Sequence, residues 1–119
     1  MQEALDRLEA FVHDRQPRMV ATANAEMVML AQQDPELFSI LNAAELVLAD
    51  GAGVVWAARR LDRGVPERVA GFDLTQQLLK HAAQTGYRIF WLGAAPGVAE
   101  EAAARAAEKY PGLTTVGIH

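Results

Sequence analysis

Leu46-Val47-Leu48-Ala49-Asp50-Gly51-Ala52-Gly53 is the stretch on which the fold turns. Four consecutive apolar residues closed by Asp-Gly suit a strand buried on both faces of a parallel sheet. From residue 53 to 61 the apolar spacing becomes helical, so a strand feeds straight into a helix, the repeating unit of α/β architecture.

The same alternation extends both ways. Upstream, Leu5, Leu8, Phe11 and Val12 fall on one helical face, and Gln16-Pro17 ends that helix. Residues 18–22, centred on Met19-Val20-Ala21, read as a short strand. Asn24 is placed to cap a helix over 24–33, and Asp34-Pro35-Glu36 opens another, with proline at the first helical position where its missing N–H costs nothing. Downstream, an irregular 62–71 stretch precedes Asp73, which stands three residues before Gln76 as in a capping box and predicts a helix ending near Thr85-Gly86. Residues 87–92 form a third strand, Gly93-Ala94-Ala95-Pro96-Gly97 a tight loop, 98–110 a helix stopped by Pro111-Gly112, and 113–118 a fourth strand. The fold expected is a single α/β domain over 1–119, Rossmann-like, with a mostly parallel sheet, helices on both faces, and truncation after the fourth strand.

Composition narrows the function classes. The 119 residues contain no cysteine, which removes a disulfide framework, a Cys-based zinc site and a thiol nucleophile. Net charge is -4 with no basic run, so neither nucleic acid nor an anionic membrane finds a complementary patch. The N-terminus is acidic and amphipathic, unlike a signal peptide, and no apolar run is long enough to span a bilayer, so a cytoplasmic location is expected. His13, His81 and His119 lack metal-ligand spacing, and Ser39, the sole serine, lacks a nucleophile elbow.

In open parallel sheets ligands gather beyond the carboxyl ends of the strands. That directs attention to Thr22 and Asn24, to Asp50 with Gly51 and Gly53, and to the loop of Gly93, Pro96 and Gly97. Asp50 sits at the mouth of the sheet beside flexible backbone, where a carboxylate can act as general base; a turn aspartate capping the next helix is its alternative use. Gly51-Ala52-Gly53 invites comparison with the dinucleotide fingerprint. However, the third glycine is missing, Trp56 stands where a small residue is needed, and Asp73 opens a helix instead of closing a strand. The 93–97 loop lacks the Gly-Lys-Ser/Thr ending of a P-loop, yet its amides and the helix after it suit a diphosphate. Arg68 is flanked by Val69 and Ala70, which favours it over Arg59, Arg60 and Arg63 as a cleft arginine. Trp56 and Trp91 read as core residues.

Four segments taken together, Thr22-Ala23-Asn24-Ala25-Glu26, Ala49-Asp50-Gly51-Ala52-Gly53-Val54-Val55, Arg68-Val69-Ala70-Gly71-Phe72-Asp73-Leu74 and Leu92-Gly93-Ala94-Ala95-Pro96-Gly97, resemble the WecG/TagA/CpsF glycosyltransferase family in order and spacing, from about residue 18 to 119. The resemblance implies an inverting, metal-independent enzyme without a cofactor. Such an enzyme moves a sugar from a UDP-sugar to a polyprenyl-diphosphate-linked amino sugar in bacterial surface polysaccharide assembly. It implies Asp50 as the base, Thr22 and Asn24 as a polar pair of the same pocket, Arg68 as a cleft arginine, and the 93–97 loop as part of the nucleotide-sugar pocket. Family members continue past the point where this chain stops. The chain is therefore expected to be an N-terminal half, poorly active alone and prone to homo-oligomerise through an uncovered sheet edge. Peripheral contact at the inner face of the plasma membrane is expected of the complete protein. Two alternatives are a dinucleotide-binding oxidoreductase fragment and a non-catalytic oligomerisation module.

Overall fold

Parallel strand pairs organise the chain, as the alternation of apolar runs and helical spacing predicts. A computed structural model describes residues 1–63 and 68–119. Strand β1 (Val20–Ala23) pairs with β2 (Leu46–Ala49), with Val20 opposite Leu46 and Ala23 opposite Ala49. β3 (Arg88–Trp91) pairs with β4 (Thr114–Ile118), and both ladders are parallel. Six helices accompany them among the described residues: α1 (Gln2–Asp14), α2 (Ala25–Ala31), α3 (Pro35–Ala43), α4 (Ala52–Arg60), α5 (Gly71–Thr85) and α6 (Val98–Lys109). The architecture is therefore α/β with parallel strands, distributed over two small sheets. The chain divides into two compact units, Met1–Leu74 and Thr75–His119, and the boundary falls inside α5.

Local chemistry explains the helix starts in the first unit. Asn24 caps α2 by accepting the Met27 N–H at 2.8 Å. Asp34 caps α3 by accepting the N–H groups of Glu36 and Leu37, each at 3.0 Å, with Pro35 in the first turn. The Met19 N–H donates to Glu45 Oε2 at 2.6 Å, so a side chain at the foot of β2 ties the chain entering β1. That bond holds the Glu45 carboxyl below its ordinary range. At the end of α1, the N–H of Gln16 and the guanidinium of Arg18 do the same to Asp14.

Buried apolar residues in this unit are Ala4, Leu8, Ala23, Ala31, Leu48, Val55, Val69 and Leu74. The expectation that β2 is buried on both faces holds only for Leu48. Val47 is 45% exposed, because a two-stranded ladder offers few neighbours to cover a second face. Trp56, expected in the core, is instead 66% exposed, with the Arg60 guanidinium 5.8 Å from its ring centroid. Part of the 62–71 stretch lies outside the described residues.

In the second unit α6 buries Ala99, Ala103 and Ala106, and the α5 segment buries Leu79 and Ala82. Gln76 Oε1 accepts from Lys109 Nζ at 2.7 Å and from the Tyr110 hydroxyl at 2.8 Å, fastening the end of α6 to α5. Trp91 is half-buried, and its Nε1 donates to Thr115 Oγ1 across the β3–β4 pair at 3.1 Å. Gly117 faces Phe90 in the ladder, and its missing side chain leaves room for the Phe90 ring.

Candidate active site

The end of β2 is held from both sides. The Asp50 N–H donates to the Ala23 carbonyl at 2.9 Å, extending the ladder with β1 by one residue, and the Val69 N–H donates to the Ala49 carbonyl at 2.9 Å. Successive residues of a strand present their backbone groups to opposite edges, so residues 68–70 lie along the edge of β2 away from β1. Two residues past Val69, the Gly71 N–H opens α5 and donates to Asp50 Oδ2 at 2.9 Å. Thr22, opposite Leu48 in the ladder, reaches the same point. A Cβ built on Gly71 would lie 3.0 Å from Thr22 Cγ2, 3.2 Å from Thr22 Oγ1 and 3.2 Å from Asp50 Oδ2. Thr22 and Asp50, singled out from sequence, therefore converge on one glycine at the carboxyl end of the β1–β2 pair. All three residues are half-buried.

Asp50 does not cap the helix that follows it. The N-cap of α4 is Gly51, with φ 108° and ψ 142°, and among the described residues no side chain caps that end of the helix. The carboxylate serves the first N–H of α5 instead, a contact spanning 21 positions. Among the described residues Oδ1 accepts no hydrogen bond.

Asn24 lies one residue past β1, and its Oδ1 is engaged by the Met27 N–H, which leaves the side-chain NH2 as the group it can offer a ligand. Gly53 runs close to α2, where an added Cβ would meet Ala25 Cβ at an ordinary 3.7 Å. Arg68 is exposed and forms no ion pair with Asp50 among the described residues; its backbone is anchored through the adjoining Val69. Sequence reasoning passed over Gly71. Its signal was a glycine at the start of a helix, where alanine is the better helix former.

The glycine loop belongs to the second unit. Gly93 and Gly97 have φ of 95° and 85°, and Ala94 also lies in the left-handed region at 70°. Gly93, Pro96 and Gly97 are exposed. The Gly93 N–H donates to the His119 carbonyl at 2.7 Å, so the amides the loop can present are those of Ala94, Ala95 and Gly97. No group of three or more His, Asp or Glu side chains gathers as a metal site among the described residues. Nor is any described helix long and apolar enough to cross a membrane.

The "Glycosyl transferase WecG/TagA/CpsF family" matches residues 1–119, so the likeness includes α1 as well as the motifs. An "N-acetylglucosaminyldiphosphoundecaprenol N-acetyl-beta-D-mannosaminyltransferase" of Bacillus spizizenii (strain W23) is 36% identical over 98 residues, covering 82% of this chain and 38% of the relative. Proteins of the same name from Bacillus subtilis (strain 168) and Staphylococcus aureus (strain NCTC 8325) are 29% and 33% identical, over 95% and 84% of this chain and 44% and 39% of their own lengths. The chain thus spans less than half the length of these relatives. With the family's match running from the first residue to the last, the chain belongs to the WecG/TagA/CpsF glycosyltransferase family.

Proposed function

We propose that this chain carries the catalytic base of a transferase that moves an N-acetylated amino sugar from a UDP-sugar to a polyprenyl-diphosphate-linked amino sugar, with inversion and without a metal. The observation that carries the reading is the convergence of Thr22 and Asp50 on Gly71 at the carboxyl end of β1–β2. Names of relatives support the substrate class, since they specify transfer of N-acetylmannosamine to N-acetylglucosaminyldiphosphoundecaprenol.

An inverting transfer is a single displacement. The acceptor hydroxyl oxygen bonds to the anomeric carbon as the bond to the UDP oxygen breaks, and the hydroxyl proton passes to Asp50 Oδ1. Thr22 Oγ1, beside the carboxylate, orients the sugar, with the Asn24 side-chain NH2 as a second polar contact. Gly51 and Gly53 let the substrate approach the backbone. The leaving diphosphate gains charge, which Arg68 is suited to meet through paired N–H donors. In the second unit, the loop of Gly93, Pro96 and Gly97 is read as a nucleotide-sugar contact through the amides of Ala94, Ala95 and Gly97. The complete protein works at the inner face of the plasma membrane, where its lipid-linked acceptor resides, and forms homo-oligomers.

The test is a transfer assay with the natural full-length protein, UDP-N-acetylmannosamine and a polyprenyl-diphosphate-linked N-acetylglucosamine acceptor, in excess chelator. The expected product has the anomeric configuration opposite to the donor's, formed at a rate the chelator does not change. A retained configuration refutes the single displacement, and loss of turnover restored by a divalent cation refutes metal independence.

A further inference from the structure

We infer that Gly71 is a positioning residue for the transfer: its N–H fixes one oxygen of the Asp50 carboxylate, and its bare Cα makes room for Thr22 and Asp50 to stand side by side. The inference rests on the proposed role of Asp50 and adds a requirement to it. A carboxylate on a rotatable side chain is an efficient base only if one oxygen is held at the attacking hydroxyl, since misplacement by about 1 Å can cost on the order of a hundredfold in rate. Here Oδ2 is held by the Gly71 N–H at 2.9 Å, so the orientation of Oδ1 is set before substrate arrives. The holding group is itself fixed, because Val69 is bonded to Ala49 and Gly71 begins a helix of 15 residues.

Why glycine stands there follows from space and not from backbone conformation. Gly71 is absent from the residues with positive φ, so its backbone conformation does not by itself require glycine. Propensity alone would favour alanine in this helix. A side chain is excluded by its neighbours: contacts of 3.0 Å to Thr22 Cγ2 and 3.2 Å to both Thr22 Oγ1 and Asp50 Oδ2 are tighter than nine in ten real Cβ contacts. The atoms that would have to give way are those assigned to the chemistry. An added methyl therefore displaces Thr22, Asp50 or both.

The experiment compares Gly71→Ala, Thr22→Ser, the double variant and Asp50→Asn in the natural full-length protein, with steady-state kinetics and circular dichroism. Gly71→Ala is expected to remain folded and to lose roughly tenfold to a hundredfold in kcat with KM nearly unchanged, because a misplaced base weakens the transition state and leaves binding intact. Thr22→Ser removes the methyl that lies nearest, so adding it to Gly71→Ala should cost less than it does in the wild type, or restore part of the loss. A folded Gly71→Ala protein with wild-type kcat overturns the inference, as does a defect confined to KM. Should Gly71→Ala fail to fold, the Gly71 amide proton resonance of the wild-type protein decides. Its shift is expected to move upfield in Asp50→Ala, and an unmoved resonance overturns the inference. Asp50→Asn separates the two readings. Wild-type turnover in that variant refutes Asp50 as base, whereas loss there with full activity in Gly71→Ala refutes only the positioning role.

Discussion

Removing the Asp50 side chain should weaken the fold as well as the chemistry, and by an amount that the geometry sets. In Asp50→Ala the Gly71 N–H loses a carboxylate acceptor at 2.9 Å, in half-buried surroundings, at the first residue of a helix. Loss of a helix-capping acceptor costs about 1 kcal/mol, and an ionised, partly desolvated acceptor sits at the upper part of that range, so about 1.5 kcal/mol is expected. With a urea dependence of about 1.5 kcal/mol per molar for a chain of this size, the midpoint should fall by roughly 1 M. Asp50→Asn keeps a neutral acceptor in the same place and should lose about half as much. Urea titration followed by far-ultraviolet circular dichroism measures both. An Asp50→Ala midpoint equal to the wild type would refute the reasoning, because it would mean that the long-range cap contributes nothing to the start of α5.

Three further perturbations probe other links of the chain. Glu45 has its folded-state carboxyl held below its ordinary value by the Met19 N–H, so its stabilising contribution is present above the ordinary carboxylate range and is lost as pH falls through the lowered value. The gap in urea midpoint between wild type and Glu45→Gln should therefore be open at neutral pH and close in acid; a gap that persists unchanged contradicts the assignment. Gly51→Ala meets nothing within 4 Å but must adopt φ near 108°, so a loss of about 1–3 kcal/mol is expected from backbone strain, and an unchanged melting curve would refute it. Asp34→Ala removes the acceptor of two α3 amides and should cost about 1 kcal/mol in the same titration, against no change if the cap is idle.

Much of this architecture is legible where neighbours in sequence decide it. The strand Leu46–Ala49 and the caps at Asn24 and Asp34 follow from a continuous apolar run and from side chains that bond amides two or three residues on. The start of α5 does not follow, because the Asp73 and Gln76 spacing imitates a capping box, whereas the first N–H of the helix finds its acceptor 21 positions upstream. For the same reason Asp50 reads equally well as a base or as a cap for α4, and only the tertiary contact with Gly71 decides against the latter. Strand pairing into two ladders, and the exposure of Val47 and Trp56, depend on which surfaces meet, which periodicity does not encode. Asp50 is legible from its place just after β2 and Thr22 from its place near the carboxyl end of β1; Gly71 is not, since its importance lies in the side chain it lacks.

The central claim is that Asp50 accepts the proton of the attacking hydroxyl, and the most direct measurement is single-turnover sugar transfer by Asp50→Asn in the natural full-length protein. The carboxamide keeps the size and a hydrogen-bond acceptor of the carboxylate while abolishing its basicity. The variant should therefore stay folded and transfer on the order of a hundredfold or more slowly. Transfer at the wild-type rate would contradict the account.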